Sequence, residues 1–242
     1  MNTFNAITGD MPFAQKEKEL AARASIEYVD EGMLVGLGTG STAEFMLRYL
    51  GERVKNGLGI LGVPSSDRTA KLAKELGIPL TTLGKVSRLD VYIDGADEID
   101  GDFQMIKGGG GALLREKILA YTSDFNVIIV DSSKKVDKLG AFKLPIEVIP
   151  LASGKILSVL EQLGLNPSLR KIGTEVYKTD ENNVILDVDI SKKDKLHQLN
   201  SKLLGIPGIV ETGLFLDYVD ILIEGKDDIA KTYKTGRRKS RM

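Results

Sequence analysis

The sequence contains no cysteine, no tryptophan and only one histidine among its 242 residues. Without cysteine, disulfides, thiolate nucleophiles and thiolate-bound metals are excluded. The single histidine, His197, excludes sites built from several histidines. It lies in an amphipathic stretch, where a position on the surface of a helix is the simplest interpretation. Any chemistry carried by this chain must therefore come from carboxylates, lysines and hydroxyls.

Long hydrophobic runs and a strong net charge are missing as well. No stretch approaches the roughly 18 apolar residues of a membrane-spanning helix, and charged residues at 16–19 interrupt the N-terminal region. The formal net charge is -1, so the composition gives no general attraction to nucleic acid or to anionic membranes. We therefore expect a cytoplasmic protein with an ordinary globular composition.

The first half of the chain alternates short apolar segments with helical patterns. The apolar segments that predict strands are 33–37, 59–63, 89–93 and 127–130. The amphipathic segments that predict helices are 41–50, 67–76 and 111–121. Because strands with apolar residues throughout are buried on both faces, we expect an α/β fold. Its main part is a Rossmann-like, mostly parallel sheet with helices on both faces.

The pattern changes near Leu139. Strands predicted at 147–149, 170–177, 184–188 and 208–212, with helices at 153–163 and 191–204, follow the order βαββαβ of a smaller, ferredoxin-like α+β unit. The segment 220–223 again resembles the strands of the first half. We therefore predict a Rossmann-like catalytic domain of residues 1–140 and 214–242, with a ferredoxin-like domain of residues 141–213 inserted into it. The basic segment 234–242 is predicted to be a solvated, disordered tail, with contact to a polyanion as the alternative.

A glycine-rich segment at 36–42 joins the first predicted strand to the first predicted helix. Glycine lets backbone amides approach an anion, and amides at the N-terminus of a helix favour negative charge. The candidate phosphate ligands are Thr39, Gly40, Ser41 and Thr42. Ser41 and Glu44 also have the spacing of a capping box, which is the purely structural alternative. The segment lacks the Walker lysine and the third glycine of the dinucleotide fingerprint, so a small phosphate is favoured over a nucleotide.

A second hydroxyl-rich turn, with Ser65 and Ser66, follows the next predicted strand. Such a turn can simply cap the helix that follows it. In an open α/β sheet, however, the loops after parallel strands lie at one edge, where ligands bind. The sequence leaves both interpretations open.

An acidic cluster follows the third predicted strand. Its members are Asp94, Asp97, Glu98 and Asp100. A solvated turn, a site for a hard cation and acid–base catalysis are all consistent with such a cluster. The nearby Lys107 would compete with a bound cation, so metal binding is disfavoured.

Lys107 is followed by four consecutive glycines at 108–111 and then by a predicted helix. Consecutive glycines are entropically costly, which favours a loop whose backbone must come close to a ligand. Lys107 would lie beside that ligand as a cation that can stabilise an oxyanion. Glu116, in the early turns of the helix, is a candidate general base if that end of the helix faces the site. Acids are favoured at such positions in any helix, which is the structural alternative.

Taken together, three segments resemble type A ribose-5-phosphate isomerase. They are Gly38–Thr42, Asp94–Glu98 and Lys107–Leu113 followed by Arg115–Lys117. The resemblance continues through 131–134, 144–150 and 205–208 and covers roughly residues 18–230. It implies interconversion of ribose 5-phosphate and ribulose 5-phosphate in the pentose phosphate pathway, with no metal and no organic cofactor. It also implies a homodimer or tetramer.

The same resemblance implies roles for individual residues. Glu116 would move a proton between C1 and C2, and Lys107 would stabilise the enediolate. Asp94 and Asp97 would assist opening of the furanose ring and hold sugar hydroxyls. The full set of predicted substrate-binding residues is Thr39, Gly40, Ser41, Thr42, Ser65, Ser66, Gly95, Ala96, Gly108, Gly109, Gly110, Lys134 and Lys18.

Two other classes of function remain possible at this stage. A phosphosugar-binding regulatory domain would keep the loop at 39–42 but would not need Lys107 or Glu116. It is usually attached to a DNA-binding helix-turn-helix, and too few residues precede the first predicted strand to form one. An acyl-carrier transferase with a glutamate nucleophile would leave the loop at 39–42 and the turn at Asp94 less well explained.

Overall fold

The computed structural model describes residues 13–236. Its helices are α1 (Phe13–Ser25), α2 (Ser41–Lys55), α3 (Asp67–Glu75), α4 (Leu113–Thr122), α5 (Ser153–Gln162) and α6 (Leu196–Leu204). Its first eight strands are β1 (Leu34–Leu37), β2 (Leu61–Pro64), β3 (Leu89–Asp94), β4 (Glu98–Ile99), β5 (Met105–Ile106), β6 (Ser123–Asp131), β7 (Leu144–Val148) and β8 (Ser168–Leu169). The others are β9 (Lys171–Ile172), β10 (Glu175–Val176), β11 (Val184–Val188), β12 (Ile209–Thr212), β13 (Leu214–Phe215), β14 (Ile221–Lys226) and β15 (Ile229–Lys234).

The central sheet has six strands in the order β15-β14-β6-β3-β1-β2. All neighbouring pairs are parallel except the β14–β15 pair at one edge. The predicted α/β fold with a mostly parallel sheet is thereby confirmed. Strand β1 lies between β2 and β3, so the connections that leave β1 and β3 run in opposite directions along the sheet. This is the topological switch point, where open α/β sheets form a ligand crevice.

Alternate residues of the buried strands supply two separate cores. Val91 and Ile93 of β3 pack with Ala21 of α1 and Met46 of α2 on one face. Tyr92 packs on the opposite face, in a core that contains residues of α4 and of the short strands β4, β5 and β13. Helices therefore cover both faces of the sheet, as the apolar strands predicted.

A second sheet of four antiparallel strands has the order β12-β7-β11-β8. Counted along the chain, its strands follow the order 4-1-3-2, with α5 after the first strand and α6 after the third. This is the βαββαβ arrangement predicted for the second part of the chain. Helices α5 and α6 supply Ile156, Leu160 and Leu203 to a core of their own. The division into domains at residues 140 and 214 stays a prediction.

Two sequence predictions for this second part are wrong in detail. The predicted strand at 170–177 is instead a short hairpin of β9 and β10, with Gly173 at a φ of +60° between them. The predicted helix at 191–204 begins only at Leu196. The Asp189 carboxylate accepts hydrogen bonds from the amide and the hydroxyl of Ser191, at 2.9 and 2.7 Å. Such an Asx turn offers the backbone an alternative to helix.

The sequence also did not predict β15 or the three-stranded sheet of β13, β5 and β4. Strand β15 pairs along its whole length with β14, so Lys234 belongs to an edge strand and not to a tail. Residues 237–242, the rest of the predicted disordered tail, lie outside the described residues, as do residues 1–12. Within residues 13–236, no helix is long and apolar enough to cross a membrane.

Candidate active site

Three loops meet at the switch point of the central sheet. They follow β1, β3 and β5 and comprise residues 38–41, 95–97 and 107–112. Between them lies an open cleft of about 470 Å³. The predicted site residues that line it are Thr39, Gly40, Ser41, Thr42, Gly95, Ala96, Asp97, Lys107, Gly108, Gly109, Gly110, Glu116 and Lys134. The structure therefore brings most of the predicted site together in one crevice.

The loop after β1 is packed against the end of β3. The amide of Gly38 donates to the carbonyl of Ile93 at 3.0 Å, and the amide of Thr39 donates to Asp94 Oδ1 at 3.0 Å. A Cβ on Gly38 would lie 2.2 Å from Asp94 Oδ1, so only glycine fits there. Helix α2 begins after Gly40, which has a φ of +137° and no side chain with which to cap the helix. The capping-box alternative is thus wrong, and the exposed Ser41 is not used as a cap.

The hydroxyls of Ser65 and Ser66 lie behind this loop and not on the wall of the cleft. Thr39 Oγ1 is 2.7 Å from both serine hydroxyls and 2.9 Å from Thr69 Oγ1. Ser66 also caps α3 by accepting from the amide of Thr69. Both serines are buried, and their predicted contact with substrate stays a prediction. They hold the Thr39 side chain in place.

Asp94 is completely buried and its carboxylate has four donors. Oδ1 accepts from the amides of Thr39 and Gly95, at 3.0 and 2.7 Å. Oδ2 accepts from the hydroxyl of Tyr92 and, at 2.8 Å, from Lys107 Nζ. A carboxylate with four donors has no lone pair directed at the cleft. Asp94 therefore braces the site, and the predicted contact between Asp94 and the sugar is not supported.

Lys107 and Glu116 form a buried pair at the base of the cleft. Lys107 Nζ donates to Asp94 Oδ2 and, at 2.6 Å, to the carbonyl of Gly95. It lies 3.4 Å from Glu116 Oε2, an atom without a hydrogen-bond partner in the described residues. Both side chains are only 3% exposed. The pair thus places a fixed cation beside a carboxylate oxygen that is ion-paired with it but receives no hydrogen bond in the described residues.

The electrostatics of this pair are set by burial and by the aspartates. Burial opposes the charge on Lys107, but Asp94 and Glu116 outweigh it and raise the pKa of Lys107 above its ordinary value, so the ammonium stays charged. Burial raises the pKa of Glu116 above its ordinary value of 4.5. Lys107 opposes this shift, and the negative charges of Asp94 and Asp97 add to it. A carboxyl that both releases and takes up a proton near neutral pH suits general acid–base catalysis.

The other acids of the cluster diverge from this point. Asp97 Oδ2 accepts from the amide of Gly109 at 2.7 Å, which ties the second loop to the third. Glu98 accepts from the amides of Gly140 and Phe142, and Asp100 closes a turn by accepting from the amide of Gln104. Among the described residues, no three acids or histidines converge as the ligands of a metal ion would. Each acid of the cluster therefore stabilises a different part of the backbone.

Comparison with known proteins agrees with this geometry. The model of the family described as ribose 5-phosphate isomerase A (phosphoriboisomerase A) matches residues 61–229. The ribose-5-phosphate isomerase A of Lactiplantibacillus plantarum is 52% identical over 209 residues, which cover 86% of this chain and 92% of that relative. This chain belongs to the ribose 5-phosphate isomerase A family.

Solved structures of ribose 5-phosphate isomerases have the same fold. The enzyme of Methanocaldococcus jannaschii superposes with a TM-score of 0.85 at 38% identity, covering 90% of this chain and 98% of that one. A D-ribose-5-phosphate isomerase solved in complex with phospho-erythronic acid superposes with a TM-score of 0.88 at 36% identity. That match covers 93% of this chain and all of the other.

Two lysines were predicted as phosphate ligands, and only one lines the cleft. Lys134 ends the short 3-10 turn Ser132–Lys134 after β6 and reaches the cleft. That turn is held by Glu17 of α1, whose carboxylate accepts from the amide and the hydroxyl of Ser132, at 3.0 and 2.7 Å. Lys18 is not among the lining residues, and its Nζ lies 4.0 Å from Asp131 Oδ2. The predicted contact between Lys18 and substrate stays a prediction.

Sequence reasoning missed the residues that hold the glycine loop from outside. Arg170 and Tyr177 come from the small antiparallel unit and donate to carbonyls of Gly108, Gly109 and Gly110. Only the four consecutive glycines indicate such contacts, because a loop with so much backbone freedom needs contacts from other residues to keep one conformation. The identity of that support depends on the packing of one sheet against another, which no local pattern reports.

Proposed function

We propose that this chain interconverts D-ribose 5-phosphate and D-ribulose 5-phosphate as an aldose–ketose isomerase. The observation that carries the proposal is the pair of Lys107 and Glu116. A buried ammonium and, 3.4 Å from it, a buried carboxylate oxygen that receives no hydrogen bond in the described residues line one cleft together with the hydroxyl-rich start of α2. Membership of a family named for this reaction supports the same conclusion.

The phosphate group is proposed to lie at the start of α2. Ser41 and Thr42 supply hydroxyls there, and the first turn of the helix supplies amides that have no acceptor within the helix. The Lys134 side chain lines the same cleft and adds a positive charge. The relative solved with phospho-erythronic acid supports the binding of a phosphorylated ligand.

In the proposed reaction Glu116 removes the proton from C2 of the open-chain aldose. The electron pair of the broken C–H bond forms a C1–C2 double bond, and negative charge develops on the carbonyl oxygen. The Lys107 ammonium stabilises that charge. Glu116 then returns a proton to C1. Overall, one proton moves from C2 to C1 and one from O2 to O1, so that atoms and electrons balance without a redox partner.

The two aspartates have different proposed roles. Asp97 lines the cleft and uses Oδ2 to hold Gly109, which leaves Oδ1 to accept from a sugar hydroxyl, including the anomeric hydroxyl whose proton leaves as the ring opens. Asp94 fixes Lys107 and the loop after β1 and makes no contact with the sugar. The predicted sharing of roles between Asp94 and Asp97 is replaced by this division.

The biological setting is part of the proposal. The reaction belongs to the non-oxidative pentose phosphate pathway, and we place it in the cytoplasm. We also propose a homodimer or tetramer. The exposed side chains of Ile118 and Tyr121 on α4, 42% and 74% exposed, support an apolar contact between copies. Light scattering coupled to size-exclusion chromatography tests this, and a monomer at micromolar concentration would contradict it.

A coupled assay with ribose 5-phosphate tests the activity. We expect turnover by the purified chain, unchanged after exhaustive treatment with a chelator, since the proposed chemistry uses only side chains. Glucose 6-phosphate is the control substrate and should react far more slowly. Tight binding of ribose 5-phosphate without turnover would indicate a sensor domain instead, and loss of activity on chelation would contradict the proposed mechanism.

A further inference from the structure

We propose that Arg170 is a positioning residue of the active site, acting through the backbone of the loop at 108–110. Arg170 lies between β8 and β9, in the small antiparallel unit, and does not line the cleft. Its guanidinium nevertheless contacts the backbone of the loop that does. The kinetic part of this inference rests on the proposed isomerase function.

The guanidinium joins the loop to a strand of the small sheet. Nη1 donates to the carbonyls of Gly108 and Gly109, at 2.8 and 3.1 Å. The other two nitrogens donate to the carboxylate of Asp187 in β11, with Nε at 2.9 Å from Oδ2. The Arg170 side chain is 15% exposed, so the pair is largely shielded from water. A planar fork held on both sides has little freedom to move.

A neighbouring side chain completes the support. The hydroxyl of Tyr177, which follows β10, lies 3.3 Å from the carbonyl of Gly110. The Arg170 guanidinium also lies 6.0 Å from the centre of the Tyr177 ring. Three successive carbonyls of the glycine loop are therefore held from the same small unit.

The geometry of the peptide unit gives this support a consequence inside the cleft. In a trans peptide the C=O and the next N–H point in opposite directions. Holding the carbonyl of Gly108 therefore aims the amide of Gly109 away from Arg170, and that amide donates to Asp97 at 2.7 Å. Holding the carbonyl of Gly109 in the same way aims the amide of Gly110 away from Arg170. Within the described residues that amide has no acceptor.

Without the guanidinium, the loop would lose its main constraint. Glycine has more backbone freedom than any other residue, and Gly108 and Gly111 already have φ values of +100° and +81°. The loop begins at Lys107 and leads into α4, which carries Glu116. A shift of about 1 Å in a catalytic group can lower a rate about a hundredfold. Arg170 thus acts on chemistry without touching the substrate.

The test compares Arg170→Met with a matched control, Arg53→Met. Arg53 also uses Nη1 to hold two backbone carbonyls, those of Ile26 and Val29, at 2.7 and 2.8 Å. It lies near the far end of α2 from the cleft. We expect both variants to melt at lower temperature than the wild type. Only Arg170→Met should lower kcat, by about tenfold to a hundredfold, with a smaller change in KM.

Two further measurements separate positioning from general stability. The first is chemical rescue of Arg170→Ala. Millimolar ethylguanidine should restore part of its kcat, whereas ethylamine should not. Only a planar guanidinium can bridge Asp187 and the loop. Hydrogen exchange is the other, and it needs no substrate. The peptide containing residues 107–113 should exchange faster in Arg170→Met than in Arg53→Met.

The outcomes distinguish this inference from the proposed function. If the wild type does not isomerise ribose 5-phosphate, the proposed function fails, while faster exchange in the loop would still support the positioning role. If the wild type is active but Arg170→Met keeps a kcat within twofold of it, the inference is overturned. Equal exchange of residues 107–113 in both variants would overturn it as well.

Discussion

The two glycine loops of the cleft are held in different ways. The loop after β1 is held by its own sheet: Ile93 and Asp94 of the neighbouring strand accept its amides, and a cluster of hydroxyls holds the Thr39 side chain. The loop at 108–111 is held by Arg170 and Tyr177, which flank the β9–β10 hairpin outside the central sheet and come about 60 residues later in the chain.

This difference matches a division of labour. The first loop begins α2 and presents hydroxyls and helix amides that can bind an anion. Binding an anion tolerates small displacements of these groups. The second loop lies between Lys107 and the helix that carries Glu116, where small displacements alter a rate. We therefore propose that the first loop binds the phosphate and that the second loop positions the catalytic groups.

The largest expected effect is on the kcat of a variant at Glu116, in the helix that follows the second loop. Glu116→Gln removes the proton acceptor but keeps the shape of the side chain, so we expect kcat to fall by about 10³-fold with little change in KM. Glu147→Gln is the matched control. Glu147 is also buried and also has an unpartnered Oε2 in the described residues, but it does not line the cleft. A similar loss of kcat in Glu147→Gln would show that the effect does not depend on a position in the cleft.

A smaller effect of the opposite kind is expected at the first loop. The double variant Ser41→Ala with Thr42→Val removes two hydroxyls from the start of α2, so KM should rise about tenfold while kcat stays within about threefold. Ser153→Ala is the control, because Ser153 begins α5 in the small unit. Steady-state kinetics with ribose 5-phosphate measures both. A fall in kcat at constant KM would contradict the assignment of this loop to binding.

The smallest expected effect is on stability. Because folding raises the pKa of Glu116, the folded state binds this proton more tightly than the unfolded state. The resulting stabilisation is present at low pH and is lost as pH rises through the folded-state pKa. Glu116→Gln lacks this loss, so its free energy of unfolding should exceed that of the wild type by about 1 kcal/mol or more above neutral pH, and by less near pH 5.

Urea denaturation at several pH values measures this difference. The same trend is expected for Glu147→Gln, since burial raises the pKa of Glu147 as well. It should be weaker there, because Glu147 Oε1 accepts from Thr179 and Asn183, both at 2.9 Å. A difference in unfolding free energy between Glu116→Gln and the wild type that does not grow with pH would contradict the raised pKa.

Local sequence patterns were sufficient to predict much of the fold and most of the residues that line the site. Apolar strands between helical patterns predicted the parallel sheet, and the order of elements predicted the smaller βαββαβ unit. The turns after β1 and β3 place Thr39 and Asp97 at one edge because the ends of parallel strands coincide there. These features depend on residues that are neighbours in sequence.

Features that depend on tertiary packing were not predictable. Asp94 and Asp97 look alike in sequence. Asp94, however, is buried and hydrogen-bonded to Tyr92 and Lys107, whereas Asp97 lines the cleft. Ser65 resembles a ligand but is buried behind Thr39. The support from Arg170 depends on how two sheets pack together. In each case the partner is set by tertiary packing, which no sequence periodicity reports.

In the proposed reaction Glu116 carries the proton, while the first loop only binds the phosphate. Isotope exchange in D₂O tests this proposal most directly, with ribose 5-phosphate followed by ¹H NMR. The wild type and the double variant Ser41→Ala with Thr42→Val, both at saturating substrate, should introduce deuterium from solvent at the reacting carbons. Glu116→Gln should bind ribose 5-phosphate but introduce none above background. Exchange at the wild-type rate in Glu116→Gln would contradict the account.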